Sequence, residues 1–216
     1  MVPDQSLPDA LPAEPLGTVK VWLAEAIRRG TQPNPNAMVL ATCDAQGHPS
    51  ARIVLCKDID AVAGTVRFFT NYQSRKGREL QANPNAALVM HWDHLYHQVR
   101  IEGIVQKVDA AESDSYFASR ERESQLGCHA SAQSEPVGTR AALRAQLDAV
   151  ITRFPRDSLV PRPAHWGGFV LWAHTVELWV EGAARLHDRA RWTRPLTLSA
   201  AGAAQPGNWS ATRLQP

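Results

Sequence analysis

Three short runs of β-branched and apolar residues, joined by turns and with no helix between them, constrain the fold of this chain most. Residues 37–42, 50–57 and 66–70 are rich in Val, Ile, Leu, Thr and Phe, and Asp44-Ala45-Gln46-Gly47 and Ala63-Gly64 supply turn residues between them. Parallel βαβ units need a helix between strands, and none is indicated before Ser74. Short connections favour antiparallel pairing. The fold class is therefore α+β and mainly β, with an antiparallel sheet or barrel at its centre.

The remaining pattern fits that frame. Residues 16–29 place Val19, Trp22, Leu23 and Ile27 at helical spacing, and Gly30 ends the helix. Residues 74–82 read as a second helix, with Ser74 as N-cap and Asn83-Pro84 as its stop. Residues 86–92 and 98–108 read as strands, and 110–120 and 138–154 as helices, the latter with an apolar stripe of Leu143, Leu147, Val150 and Ile151. Strands resume at 168–171 and 176–180 and continue through Arg185–Arg189. Residues 195–208, rich in Pro, Ala and Gly, read as an exposed loop. Residues 1–15 carry four prolines and read as a flexible arm, and 16–216 as a single domain.

Composition excludes several classes. With a formal net charge of only +2, basic residues interleave with acidic ones and no nucleic-acid partner is indicated. No apolar run is long enough to span a bilayer, and the first residues lack the basic start and apolar centre of a secretory signal. Cys43, Cys56 and Cys128 are odd in number and widely spaced, which indicates neither a disulfide framework nor a zinc cluster and points to a reducing cytoplasm. Strand alternation would set His94 opposite His91 and His97, so no metal site is expected. There is no G-x-S-x-G elbow, G-x-G-x-x-G fingerprint or Walker A loop.

Several clusters suit anions instead. Ser74-Arg75-Lys76-Gly77 opens a helix, where free N–H groups attract negative charge; two cations there oppose the helix dipole unless an anion is bound. Gly77 would let a ligand approach closely. A capped surface helix is the other reading. Tyr116, Arg120 and Ser124, spaced by four, form one polar ridge if the helix runs that far, suited to a phosphate monoester or to solvent. Arg52 and Lys57 bracket Ile53-Val54-Leu55-Cys56 at odd spacing. They serve one site if a ligand lies along the strand or if Lys57 sits past its end. In an extended strand Arg185, His187 and Arg189 would share one face, as an anion site or as a charged edge.

The order of these blocks carries a resemblance. Arg52-Ile53-Val54-Leu55-Cys56-Lys57, Phe69-Thr70-Asn71-Tyr72-Gln73-Ser74-Arg75-Lys76-Gly77, Gln98-Val99-Arg100-Ile101-Glu102-Gly103, Tyr116 to Arg120 with Ser124, Gln133-Ser134, His165-Trp166-Gly167-Gly168, Trp179, Arg185-Leu186-His187-Asp188-Arg189 and the terminal Arg213-Leu214-Gln215-Pro216 follow in sequence. Together they resemble the pyridoxamine (pyridoxine) 5′-phosphate oxidase family. The resemblance implies an antiparallel Greek-key split β-barrel with surrounding helices, binding FMN, and a homodimer with sites at the interface. It implies oxidation of pyridoxine or pyridoxamine 5′-phosphate to pyridoxal 5′-phosphate in vitamin B6 metabolism, with O2 as acceptor and release of H2O2. FMN would contact Arg52, Ile53, Val54, Leu55, Cys56 and Lys57, then Phe69, Thr70, Arg75, Lys76, Gln98, Gln133, Ser134, Trp179 and Arg189. The substrate phosphate would take Lys57, Tyr116, Arg120 and Ser124, and Arg185 and His187 would flank its ring as catalytic residues. Phe69 stands where many relatives carry Tyr, and the arm lacks their Arg-x-x-Tyr element. Rival readings are an oxidase of the same fold acting on another substrate, such as a phenazine precursor, and a non-catalytic carrier of FMN or pyridoxal phosphate.

Overall fold

A computed structural model describes residues 6–216; the first five residues of the expected arm lie outside the described residues. Helix α1 (Leu16–Arg29) precedes a hairpin of β1 (Ala37–Cys43) and β2 (Pro49–Leu55), then β3 (Asp58–Asp60) and β4 (Thr65–Asn71). Helix α2 (Arg75–Ala82) leads to β5 (Asn85–Trp92) and β6 (His97–Lys107). Helices α3 (Ala110–Ala118), α4 (Arg122–Ala130) and α5 (Arg140–Arg153) follow. The chain ends in β7 (Trp166–Val180), β8 (Asp188–Thr193), β9 (Leu196–Leu198), β10 (Ala204–Pro206) and β11 (Ser210–Leu214).

Every strand pairing is antiparallel, as the short connections require. The main sheet runs β11-β8-β7-β6-β5-β1-β2, and β3 and β4 join it through β7. The sequence reading places two strands here, at 168–171 and 176–180. In the structure β7 is one strand of 15 residues that changes neighbours. Its first half pairs with β4, from Asn71↔Trp166 to Thr65↔Trp172, and its second half with β8, from Thr175↔Thr193 to Val180↔Asp188. The sheet splits at that change. Arg194 pins the corner: Nε donates to Ala173 O at 2.7 Å, and Nη2 to the carbonyls of Ala63 and Gly64 at 3.0 Å each. On the other edge the β6 register shifts at Glu102/Gly103. A Cβ on Gly103 would lie 2.1 Å from Trp172 O, so the curl needs glycine there.

The core lies on one face of the sheet, built from alternate residues such as Met38, Leu40, Leu88, Met90, Val99 and Ile101 and joined by Leu16 and Val19 of α1. A smaller cluster of Phe117, Leu126, Val160 and Trp166 sits beneath α3–α5. The stripe on α5 is only partly used: Leu147 and Val150 pack on this cluster, while Leu143 and Ile151 are 40% and 47% exposed.

Four further expectations are corrected. Residues 6–15 lack regular structure, as their prolines dictate, but they are docked. Leu7 is buried, its N–H donates to Asp188 Oδ2 at 2.7 Å, and Trp192 Nε1 donates to Pro12 O at 2.8 Å. The Arg185–Arg189 segment is not one strand. Ala184 and Arg185 have φ of 54° and 63° in a tight helical turn, and β8 begins only at Asp188. Residues 195–208 contain the β9–β10 hairpin. The helix carrying Tyr116 stops at Ala118, and α4 starts anew at Arg122.

Candidate active site

The strand ends and helix starts converge on a cavity of about 590 Å³. One wall is β2 and the residues after it: Ile53, Val54, Leu55 and Lys57 line it. β2 is an edge strand, which leaves Ile53 61% and Leu55 37% exposed. It ends at Leu55, so Lys57 does sit past its end and can serve the same site. The floor comes from β4 with Phe69, Thr70 and Asn71, and from Lys76 on α2. The opposite wall holds Tyr116, Arg120, Ser124 and Cys128, with Gln133 and Trp166 completing it. Tyr116 on α3, Arg120 in the turn after it and Ser124 on α4 thus meet in one cavity although no single helix carries them.

Lys76 is the most informative group. Its ammonium is buried, and Nζ donates to Gln133 Oε1 at 2.8 Å and to Thr70 Oγ1 and Ser74 Oγ at 3.2 Å each. All three partners are neutral. Burial pushes its pKa down to about 8, the Arg52 guanidinium adds to that, and Glu79 opposes it. A buried cation held only by neutral oxygens is chemistry suited to an incoming anion. Ser74 caps α2 as its sequence indicates, accepting from Gly77 N. Gly77 does not serve ligand approach: a Cβ there would lie 2.1 Å from Tyr72 O, so glycine lets α2 pack on the preceding backbone.

The aromatic wall is stacked. Phe69 and Tyr116 have ring centroids 3.9 Å apart, and Trp166 lies within 19° of parallel to Phe69 and 7° to Tyr116. Glycine makes room for it: a Cβ on Gly168 would meet Phe69 Cε1 at 2.7 Å. Lys57 Nζ lies 5.7 Å from the Tyr116 ring centroid.

Several expected contact residues do not line this cavity. Arg52 turns under the sheet, where Nη2 meets Glu79 Oε2 at 3.1 Å. Arg75 Nε meets the same carboxylate at 2.8 Å. Cys56 points into the core, and burial pushes its thiol up to about 12. Ser134, with φ 76°, is exposed beside Gln133.

Gln98, Trp179, Arg185, His187 and Arg189 form a separate group near the far end of β7. Gln98 is opposite Trp179 on β6, and Arg189 is opposite it on β8. The His187 ring lies 4.6 Å from Trp179. His187 Nδ1 faces the Gly182 N–H at 3.2 Å, so the neutral ring carries its proton on Nε2. Arg189 is held by Glu177 Oε1 at 2.8 Å, and Arg185 is exposed.

Sequence reasoning assigned no role to Asn71, Cys128, Trp166, Glu79 or Glu177. Trp166 stands in the quoted His-Trp-Gly-Gly block, and the two glycines after it were the available signal of close packing. Glu79 and Glu177 gave none, since each lies far in sequence from most of its partners.

An antiparallel sheet that splits along its longest strand, with Lys57, Lys76 and Arg120 in a cavity walled by stacked aromatic rings, defines a protein of the split-barrel class. Residues 23–154 match the family model for pyridoxamine 5′-phosphate oxidase, and 166–216 match the pyridoxine 5′-phosphate oxidase C-terminal dimerisation region. The chain belongs to the pyridoxamine 5′-phosphate oxidase family. It is 46% identical to a pyridoxine/pyridoxamine 5′-phosphate oxidase of Gluconobacter oxydans, over 95% of this chain and 96% of that one. It is 48% identical to the protein of that name from Burkholderia multivorans, over 96% and 91%. Among solved structures it resembles PhzG from Burkholderia lata, in complex with tetrahydrophenazine-1-carboxylic acid, with TM-score 0.86, 31% identity and coverage of 99% and 98%. A related FMN-binding protein from Nostoc punctiforme shares the fold, with TM-score 0.69 at 14% identity over 95% and 100% of the two chains.

Proposed function

We propose that this chain is an FMN-dependent oxidase that converts pyridoxine or pyridoxamine 5′-phosphate to pyridoxal 5′-phosphate, with O2 as acceptor and H2O2 released. The observation that carries the reading is two cationic stations in one aromatic cavity: Lys76 with Thr70 and Gln133 at one, Arg120 and Lys57 with Tyr116 and Ser124 at the other. A cofactor phosphate and a substrate phosphate need two such stations. When bound, FMN supplies the two-electron redox chemistry that side chains lack.

The chain's own residues bind and orient. Lys76, Thr70 and Gln133 would hold the cofactor phosphate, with Arg75 and Arg52 adding positive potential from behind. The apolar faces of Ile53, Val54 and Leu55 would support the flavin ring. Arg120, Ser124, Tyr116 and Lys57 would anchor the substrate phosphate, and that remote binding energy would align the reacting carbon.

The Gln98, Trp179, Arg185, His187 and Arg189 group would complete the cavity from a second copy of the chain. The match to a dimerisation region over 166–216 supports that arrangement. There Arg185 and His187 would flank the substrate ring, with Nε2–H of His187 as the available donor.

The likeness to PhzG supports a second reading, an oxidase acting on a carboxylated tricycle. Identity of 46–48% to named pyridoxine/pyridoxamine 5′-phosphate oxidases, against 31% to PhzG, favours the phosphorylated pyridine. The test is aerobic turnover of pyridoxine 5′-phosphate by the FMN-loaded protein, following aldehyde and peroxide together. Stoichiometric appearance of both is expected. A flavin-loaded protein without turnover would overturn the assignment.

A further inference from the structure

Arg120 is half-buried in the cavity wall and, among the described residues, forms no ion pair. Its guanidinium carbon lies 4.6 Å from the centroid of the Trp166 ring, and Nη1 lies 2.8 Å from Cys128 Sγ. Burial pushes the Cys128 thiol up, against the pull of Arg120, so the sulfur is protonated and neutral near pH 7. Both partners therefore orient the cation without cancelling its charge. Arg189 shows the opposite arrangement, where the Glu177 carboxylate neutralises what it holds. Among aromatic faces the indole attracts a cation most strongly, and it remains attractive when water is displaced.

Trp166 is itself fixed. It is 6% exposed, meets Phe117 edge-on at 5.2 Å and 68°, and its carbonyl accepts from Arg162 Nη1 at 2.7 Å. It opens β7 opposite Asn71, so the sheet sets its place and the small cluster sets its plane. We infer that Trp166, with Cys128 Sγ as second contact, is the positioning residue that presents Arg120 as an uncompensated cation to the phosphate monoester of the substrate. This rests on the oxidase reading above and names a residue that reading does not use.

The test compares Trp166→Leu, Trp166→Phe and Cys128→Ala in the FMN-loaded protein. It reads KM and kcat for pyridoxine 5′-phosphate, the calorimetric Kd of pyridoxal 5′-phosphate, and the Kd of FMN. Trp166→Leu is expected to raise KM and the product Kd about tenfold, the scale of a desolvated cation–π contact, with kcat and FMN affinity changed much less. Trp166→Phe should recover most of the loss, and Cys128→Ala should raise KM a few-fold. Unchanged KM and Kd in Trp166→Leu would overturn the inference. So would a parallel loss of FMN, or a Phe variant as poor as Leu, since either marks general packing. If Trp166→Leu does not fold, Trp166→Met takes its place with the same expectation, and an unmoved Kd there overturns the inference. A parent protein that binds pyridoxal 5′-phosphate through Trp166 but does not turn over would sink the oxidase reading and leave the positioning role standing. A parent that neither binds nor turns over sinks both.

Discussion

If Lys76 holds the cofactor phosphate as proposed, its titration limits the pH range of FMN binding. Its pKa is lowered to about 8, burial being the main cause, and a phosphate dianion beside it would raise that value. Affinity for FMN should therefore be flat from pH 7 to about 8 and fall above it, by at most about tenfold per pH unit, as binding begins to require proton uptake. A fluorescence titration of FMN from pH 7 to 9.5 measures this. Lys76→Met should weaken binding at least about tenfold and abolish the slope; a slope surviving in the variant would assign it to another group. Glu79 is the converse case. Burial alone would raise its carboxyl, but hydrogen bonds from Thr42, Ser50, Arg75 and Arg52 outweigh burial and hold it at about 2. Its folded pKa lies below the unfolded one, so its contribution to stability is complete above about pH 4.5 and fades as pH falls toward 2. Glu79→Ala would leave Arg52 without its carboxylate beneath the sheet. About 3 kcal/mol should be lost in urea denaturation, the bottom of the range for broken buried pairs because Arg75 is largely exposed. The Ser-Arg-Lys motif marked Lys76 in the sequence. Nothing marked Glu79, because its partners come from β1, β2 and α2.

At the scale of elements, the segment before α1 behaves as part of the C-terminal strands. Leu7 fills a core position, Arg213 bonds Asp188 and reaches the Leu7 and Pro8 carbonyls, and Pro12 O satisfies the buried Trp192 indole. Deleting residues 1–12 would strip these contacts and leave a buried N–H without a partner. A loss of about 3 kcal/mol is expected, lowering Tm by roughly 6–10 °C. An unchanged melting temperature would show that the docked segment contributes nothing. The prolines correctly announced a stretch without helix or strand, but an irregular backbone is not a mobile one once its carbonyls and one apolar side chain find fixed partners. The Arg185–His187 region fails as a strand for a related reason. A Cβ on Gly182 would meet Leu186 O at 2.0 Å, so the chain folds tightly back there, with positive φ at Ala184 and Arg185. Alternation along a strand cannot describe that turn.

For the whole molecule, the two groups of expected site residues lie apart within one chain, and Ile53 and Leu55 leave apolar surface open at the cavity edge. A two-fold dimer in which each copy completes the other's cavity makes a specific prediction. Arg120→Ala and Arg185→Ala variants should each be nearly inactive. Mixed and allowed to exchange subunits, half of the dimers become mixed, and each of those holds one intact site of two. Activity should recover to about a quarter of the parent value. No recovery, with exchange verified by native mass spectrometry, would place both residues in one chain's site. Arg185→Ala should also impair turnover more than FMN retention, and equal loss of both would sink its assignment to the substrate. The sequence by itself determined the antiparallel sheet, the stop of α1, the cap and stop of α2, and the cation-bearing blocks, because period, capping and turn chemistry are local and act within a few residues. Only the tertiary structure decided that β7 is a single strand with two successive neighbours, that Arg52 reaches the buried carboxylate of Glu79, and that Trp166 faces Arg120. Those arrangements depend on contacts between residues far apart in the chain, whose closeness is set by how the sheet curls and packs.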